Sequence, residues 1–160
     1  MKKEFRLEYE EYASDRELAA SDAELLRAAR TAIVDAYAPY SRFRVGAAAR
    51  LVNGAVITGS NQENASFPAG ICAERTLLSA AASRFPGVAI DTLAISYSNE
   101  QGASDRPISP CGICRQSLQE MEHRTGRPIR LVLGGMEGKI FVLPQAGQLL
   151  PLAFTPEELG

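Results

Sequence analysis

The sequence has no stretch of about 18 consecutive apolar residues, the length a bilayer requires, so it carries no transmembrane helix. No apolar core follows Lys2 and Lys3, which argues against a secretory leader and for a cytoplasmic protein. Basic charge is not in excess: 17 Lys and Arg stand against 19 Asp and Glu, interspersed, for a net charge of −2. Nucleic acids are held by basic patches, so a broad nucleic-acid surface is excluded and a small ligand is not. There is no fourth cysteine. Three thiols make a poor disulfide framework and a plausible set of metal ligands; on count alone they read as small buried hydrophobes.

What remains is ordinary for a soluble globular protein: 46% hydrophobic and 22% charged residues in a chain of 160, enough for a single domain over 1–160 with one good core. Residues 4–9 alternate and predict a short half-buried strand within an N-terminal extension over 1–20. Ser21 or Asp22 can cap a helix running to about Tyr37, with Leu25, Leu26, Ala29, Ile33 and Ala36 at helical spacing, before Pro39 ends it. Asn53-Gly54 predicts a hairpin between strands at Phe43–Val52 and Ala55–Ser60. A helix follows from Cys72 to Arg84, stopped by Pro86-Gly87, then a strand at Ile90–Tyr97. Pro110 sits where a first helical turn would begin, ahead of a helix over Cys111–His123. Strands at Ile129–Leu133 and Lys139–Leu143 and a helical turn at Gln145–Leu149 complete the chain. This order fits an α/β fold, a mixed sheet covered by helices.

Chemistry concentrates in Ala69-Gly70-Ile71-Cys72-Ala73-Glu74-Arg75-Thr76 and Ser109-Pro110-Cys111-Gly112-Ile113-Cys114-Arg115-Gln116. Both place cysteine at a predicted helix start, where free N–H groups and the positive dipole end favour thiolate, the form that binds metal. Cys111 and Cys114, three apart, share a helix face. Two helix starts facing each other supply three sulfurs to one Zn²⁺. The only histidine, His123, lies about 14 Å from Cys114 at 1.5 Å per residue, so the fourth tetrahedral position is left for water, as in a catalytic site. Glu74, two residues after Cys72, sits in the same first turn. It can stand beside the metal without binding it and carry protons to and from that water. Taken alone, it would read as an acidic residue favoured at a helix start.

These stretches, with Ala38-Pro39-Tyr40-Ser41-Arg42-Phe43-Arg44-Val45-Gly46-Ala47-Ala48, Gly59-Ser60-Asn61-Gln62-Glu63-Asn64-Ala65 and Leu149-Leu150-Pro151-Leu152-Ala153-Phe154, resemble the small homotetrameric cytidine deaminases over about 124 residues. The resemblance implies a three-layer α/β/α sandwich with a mixed sheet of about five strands. It implies one Zn²⁺ per subunit on Cys72, Cys111 and Cys114, and catalysis by Glu74. The reaction is hydrolysis of cytidine and 2′-deoxycytidine to the uridine products and ammonia, in pyrimidine salvage. Asn61 and Glu63 then bind sugar hydroxyls, which fits their spacing of two on an extended segment. Phe43 and Ala73 contact the nucleoside, and Phe154 is placed against the base by a neighbouring subunit. Arg75 hydrogen-bonds a ligand sulfur and draws negative charge from the metal. Arg115 and Gln116 support the helix start. Ile113 is bulkier than the family's usual residue, and Phe67 stands where tyrosine is common. Both bear on substrate preference and leave open a modified or isomeric pyrimidine nucleoside. The reading from another class is a non-catalytic zinc-binding interaction module.

Overall fold

A computed structural model describes residues 1–159. Its strands are β1 (Glu10–Tyr12), β2 (Phe43–Leu51), β3 (Val56–Ser60), β4 (Ile90–Asn99), β5 (Arg130–Gly134) and β6 (Ile140–Leu143). Its helices are α1 (Ala20–Ala32), α2 (Ala73–Arg84) and α3 (Gly112–Thr125). They form one six-stranded sheet in the order β1-β6-β5-β4-β2-β3. The pair β4–β5 is parallel and every other neighbouring pair is antiparallel.

Strict alternation along the strands builds two cores. Ala48 of β2, Ala94 of β4, Val132 of β5 and Val142 of β6 face α1, which contributes Leu25, Leu26 and Ala29. The alternate residues Ala47, Ala49, Leu93, Ile95, Leu131 and Leu133 face α2 and α3, which contribute Leu77 and Leu118. The result is the expected three-layer sandwich. Truncating a fully buried leucine such as Leu77 to alanine costs roughly 2–5 kcal/mol.

The topology puts two helix starts at one edge of the sheet. Both β3 and β4 pair antiparallel with β2, so they run parallel to each other. α2 crosses from β3 to β4, and α3 crosses from β4 to the parallel β5. Each helix therefore begins at the C-terminal end of its preceding strand, on the same side of the sheet. Glycine sets how closely helices dock. A Cβ at Gly59 would lie 2.7 Å from the Ala73 carbonyl oxygen and 2.7 Å from the Leu77 nitrogen, so only glycine lets β3 touch the first turn of α2.

Four boundaries differ from the sequence reading. The N-terminal strand is not at 4–9, which is exposed and irregular, but at Glu10–Tyr12, where it pairs with β6 and makes a sixth strand instead of about five. Its anchors are the Glu11–Lys139 ion pair and the Tyr9–Phe141 ring contact, both long-range partners invisible to local alternation. α1 starts after Ala19 without a side-chain cap; Asp22 is buried and pairs with Arg130 at 2.5 Å. The α-helix stops at Ala32, passes through a 3-10 turn at Ile33–Asp35, and never reaches Tyr37. Tyr37 is instead pulled into backbone pairing with Asn61 and Glu63. Pro110 likewise precedes the first helical turn, because Cys111 takes the cap position of α3.

Candidate active site

Cys72 and Cys111 are the extended cap residues of α2 and α3, with φ/ψ of −73°/155° and −67°/169°, and Cys114 lies in the first turn of α3. The Sγ atoms of Cys72 and Cys111 are 3.7 Å apart, those of Cys111 and Cys114 are 3.5 Å apart, and all three sulfurs fall within 4.8 Å of one another. Disulfide bonding requires about 2.05 Å, so these are free thiols. A tetrahedral Zn²⁺ with bonds of about 2.3 Å spaces its sulfurs about 3.8 Å apart, and the cluster fits that ion. His123 is exposed in the last turn of α3 and is not part of the cluster.

The charge distribution is uneven. Hydrogen bonding from Cys114, aided by Cys111 and the positive charge of Arg75, outweighs burial and brings the Cys72 thiol down to about 6. Cys114, fully buried, is pushed the other way by its hydrogen bond to Cys72 and by burial. Glu74 is 5% exposed. Burial, reinforced by negative charge on Cys72, raises its carboxyl above the ordinary range, although its own backbone N–H and the Cys114 thiol partly oppose this. Glu74 is thus a buried carboxyl in contact with the thiol cluster, disposed to hold a proton.

Asn61 and Glu63 come to this edge through their neighbour. Gln62 and Ile71 exchange two backbone hydrogen bonds of 2.9 Å, so the 61–63 segment runs beside the residue preceding Cys72. The Gln62 side chain points away, to the Asp35 carbonyl and Ser60. Asn61 ties into β2: its Oδ1 accepts from the Val45 N–H at 2.8 Å and its Nδ2 donates to the Phe43 carbonyl at 2.9 Å. Phe43 is half-buried and stacks on Tyr97, with centroids 4.9 Å apart. Glu63 accepts the N–H groups of Tyr40 at 2.9 Å and Ser41 at 3.2 Å on Oε2. Burial works against its charge, but the Ser41 hydroxyl and these two N–H groups prevail and hold the carboxyl below its ordinary value. It lines a 360 Å³ cleft with Tyr40, Ser41, Asn64, Phe67 and Gly70.

The remaining positions fall less simply. Ala73 is fully buried, closed from solvent by the approach of Gly59. Arg75 makes no hydrogen bond to a sulfur among the described residues. It acts on Cys72 through charge and lines a 500 Å³ groove between α2 and α3 that none of the three cysteines lines. Phe154 is 58% exposed; Gln116 Nε2 holds its carbonyl at 2.9 Å, beside the start of α3. Arg115 donates to the carbonyls of Pro110 at 2.8 Å and Leu149 at 3.0 Å, tying the C-terminal segment to the same helix start. Ile113 projects into solvent between the two cysteines. The role of Ser41 in cradling Glu63 was not legible in the sequence, since its signal is only a turn-forming serine after proline and tyrosine.

The family model described as "Cytidine and deoxycytidylate deaminase zinc-binding region" matches residues 19–126. The cytidine deaminase of Halalkalibacterium halodurans is 41% identical over 136 residues, 85% of this chain and 96% of its own. That of Mycobacterium tuberculosis is 39% identical over 142 residues, 86% of this chain and 93% of its own. The crystal structure of cytidine deaminase from Burkholderia pseudomallei superposes with a TM-score of 0.72 at 39% identity, covering 86% of this chain and all of that one.

Proposed function

The chain belongs to the cytidine deaminase family, and we propose that it hydrolyses cytidine and 2′-deoxycytidine to uridine and 2′-deoxyuridine with release of ammonia. The observation that carries this is the placement of buried Glu74 in the same first helical turn as Cys72, against three sulfurs spaced for zinc. Zinc, when bound by Cys72, Cys111 and Cys114, supplies the Lewis acidity that makes a water nucleophilic near pH 7.

Proton handling falls to Glu74. It takes one proton from the water that attacks C4 of the pyrimidine and passes it to ring nitrogen N3; it then takes the remaining proton from the hydroxyl now on C4 and delivers it to the amine, which departs as ammonia while the C4 carbonyl forms. A carboxyl raised by burial suits both duties, because it takes up a proton more readily than an exposed carboxylate and can release it again. Asn61 and Glu63 receive the sugar hydroxyls, Phe43 packs on the nucleoside, and Ala73 contributes through its main chain. Arg75 offsets the negative charge of the thiolate set from a distance. Residues 1–160 act as one domain, with 1–20 as an extension.

The finer parts of the reading have separate supports. Exposed Phe154, held at the start of α3, suits a residue completing a neighbour's site in a homotetramer. Sedimentation giving only monomer at micromolar concentration would remove that role. Three free thiols kept for metal suit a reducing compartment, hence the cytoplasm and nucleoside salvage. The test of the central claim is an ultraviolet assay of the purified, zinc-loaded protein over cytidine, deoxycytidine and modified nucleosides, with zinc content measured alongside. Loss of cytidine absorbance is the expected result. Its absence would return the chain to the class of zinc-binding interaction modules.

A further inference from the structure

Tyr97 reads in the sequence only as the last residue of a buried strand. In the β2–β4 pair it stands opposite Val45, while Phe43 stands opposite Asn99, so Phe43 and Tyr97 are diagonal neighbours. Diagonal neighbours on one face of an antiparallel pair are within reach of aromatic side chains. Their ring centroids are 4.9 Å apart and their planes 14° from parallel. Tyr97 follows Ile95 by two, and Ile95 faces α2 and α3, so Tyr97 projects from that same face. It does so at the C-terminal end of β4, from which the chain runs on to Cys111.

The main chain of Phe43 is held from two sides. Its N–H donates to Ser41 Oγ at 3.0 Å, and its carbonyl accepts from Asn61 Nδ2 at 2.9 Å. Both bonds fix the backbone, and neither sets the direction of the ring. Tyr97 does. It is 2% exposed, so packing fixes its own ring, and it lies nearly flat against Phe43, which stays partly exposed. Such a stacked pair favours its geometry beyond the area it buries. The Tyr97 hydroxyl makes no hydrogen bond among the described residues, so the ring and not the hydroxyl carries the contact.

We propose that Tyr97 is a positioning residue for substrate binding: it backs the Phe43 ring and fixes the plane that this ring presents to the nucleoside. This rests on the deaminase reading and on Phe43 as a nucleoside contact. Tyr97 is closed from solvent, so its loss acts through Phe43, on binding and not on chemistry.

The test is a double-mutant cycle on the zinc-loaded protein: Tyr97→Leu, Phe43→Leu and the two together, with Tyr97→Phe as the conservative variant. The measurements are kcat and KM for cytidine and the dissociation constant of uridine by NMR titration. Tyr97→Leu raises KM and the uridine constant about three- to tenfold, the range of one aromatic pair, with kcat within about twofold. Tyr97→Phe, which keeps the ring, restores both to within about twofold. Added to Phe43→Leu, Tyr97→Leu changes either constant by less than about twofold, because the ring it positions is gone. An unmoved KM in Tyr97→Leu overturns the proposal. So does full additivity of the two substitutions, which is what independent loosening of the fold would produce. If Tyr97→Leu does not fold, Tyr97→Met, which fills space without a flat ring, takes its place in the same cycle. Phe43→Leu with both constants unmoved removes the nucleoside contact, and the proposal with it. The uridine constant needs no turnover: failure of the unaltered protein to deaminate cytidine overturns the deaminase reading instead, and the cycle read on uridine still decides Tyr97.

Discussion

Gln62 and Ile71 exchange two backbone hydrogen bonds of 2.9 Å, and this one bridge joins the segment carrying Asn61 and Glu63 to the residue before Cys72. Metal ligands and sugar-binding candidates are thereby held by the same short ladder. Tyr37 lies on its other side, accepting from Glu63 N–H at 2.8 Å. The site's geometry therefore depends on main-chain pairing that no side-chain substitution removes directly.

Glu74→Gln keeps the shape of a buried residue and removes its ability to exchange protons. Zinc content stays at the unaltered level by elemental analysis, while kcat/KM for cytidine falls by a factor on the order of 10²–10⁴. Retention of more than a tenth of the activity would take proton transfer away from Glu74.

Metal removal exposes the uneven charge of the thiols. In the chelator-treated protein Cys72, lowered to about 6 chiefly by hydrogen bonding from Cys114, is thiolate at neutral pH. Its alkylation by iodoacetamide rises through about pH 6, well below the range near 8.5 of an ordinary cysteine. Buried Cys114, whose thiol is raised, reacts last. Peptide mass spectrometry of timed samples distinguishes the three sites, and a Cys72 profile centred near 8.5 would contradict the arrangement.

Gly59→Ala drives a methyl group into the backbone of α2, at 2.7 Å from both the Ala73 oxygen and the Leu77 nitrogen. Neither atom belongs to a flexible side chain, so the helix must shift. The variant loses roughly 1–3 kcal/mol in urea unfolding. Because the shifted turn carries Cys72 and Glu74, zinc is also held less tightly in a chelator competition. Full stability with native zinc affinity would show that α2 tolerates the displacement.

Asp15 links the N-terminal extension to α1 through Arg30, at 2.6 Å, and Arg30 also reaches the Gly135 carbonyl at 3.0 Å. The hydrogen bond from Arg30 lowers the Asp15 carboxyl despite burial. A carboxyl lowered on folding stabilises fully above its unfolded value, near 3.9, and loses that contribution as pH falls through the lower folded one. Partial solvent exposure limits the effect, so Asp15→Asn costs about 0.5–1 kcal/mol at pH 7. The gap from the unaltered chain closes as unfolding is repeated at progressively more acidic pH. A gap that widens on acidification would reverse the sign of this linkage.

The sequence by itself determined which residues are candidates for the chemistry. Cysteine and glutamate spacings within one helical turn are local, and a helix start presents the same N–H groups and dipole wherever it is placed; Cys72, Glu74, Cys111 and Cys114 could therefore be read without a fold. The hairpin at Asn53-Gly54 and the alternating strands were legible for the same reason. Only the tertiary structure decided which distant pieces meet. Two crossovers between parallel strands put both helix starts at one sheet edge, and the pull of Asn61 and Glu63 on Tyr37 ended α1 at Ala32 despite helical periodicity beyond it. Glu11 found Lys139, and so the edge strand formed at Glu10–Tyr12 and not within 4–9. Arg75 was left acting through charge rather than through a hydrogen bond, and Ser41 was brought to Glu63 across 22 residues of chain. Periodicity records what a residue does within its own turn or strand, while backbone pairing and ion pairs between distant segments are settled by which arrangement buries the most apolar surface with its polar groups satisfied.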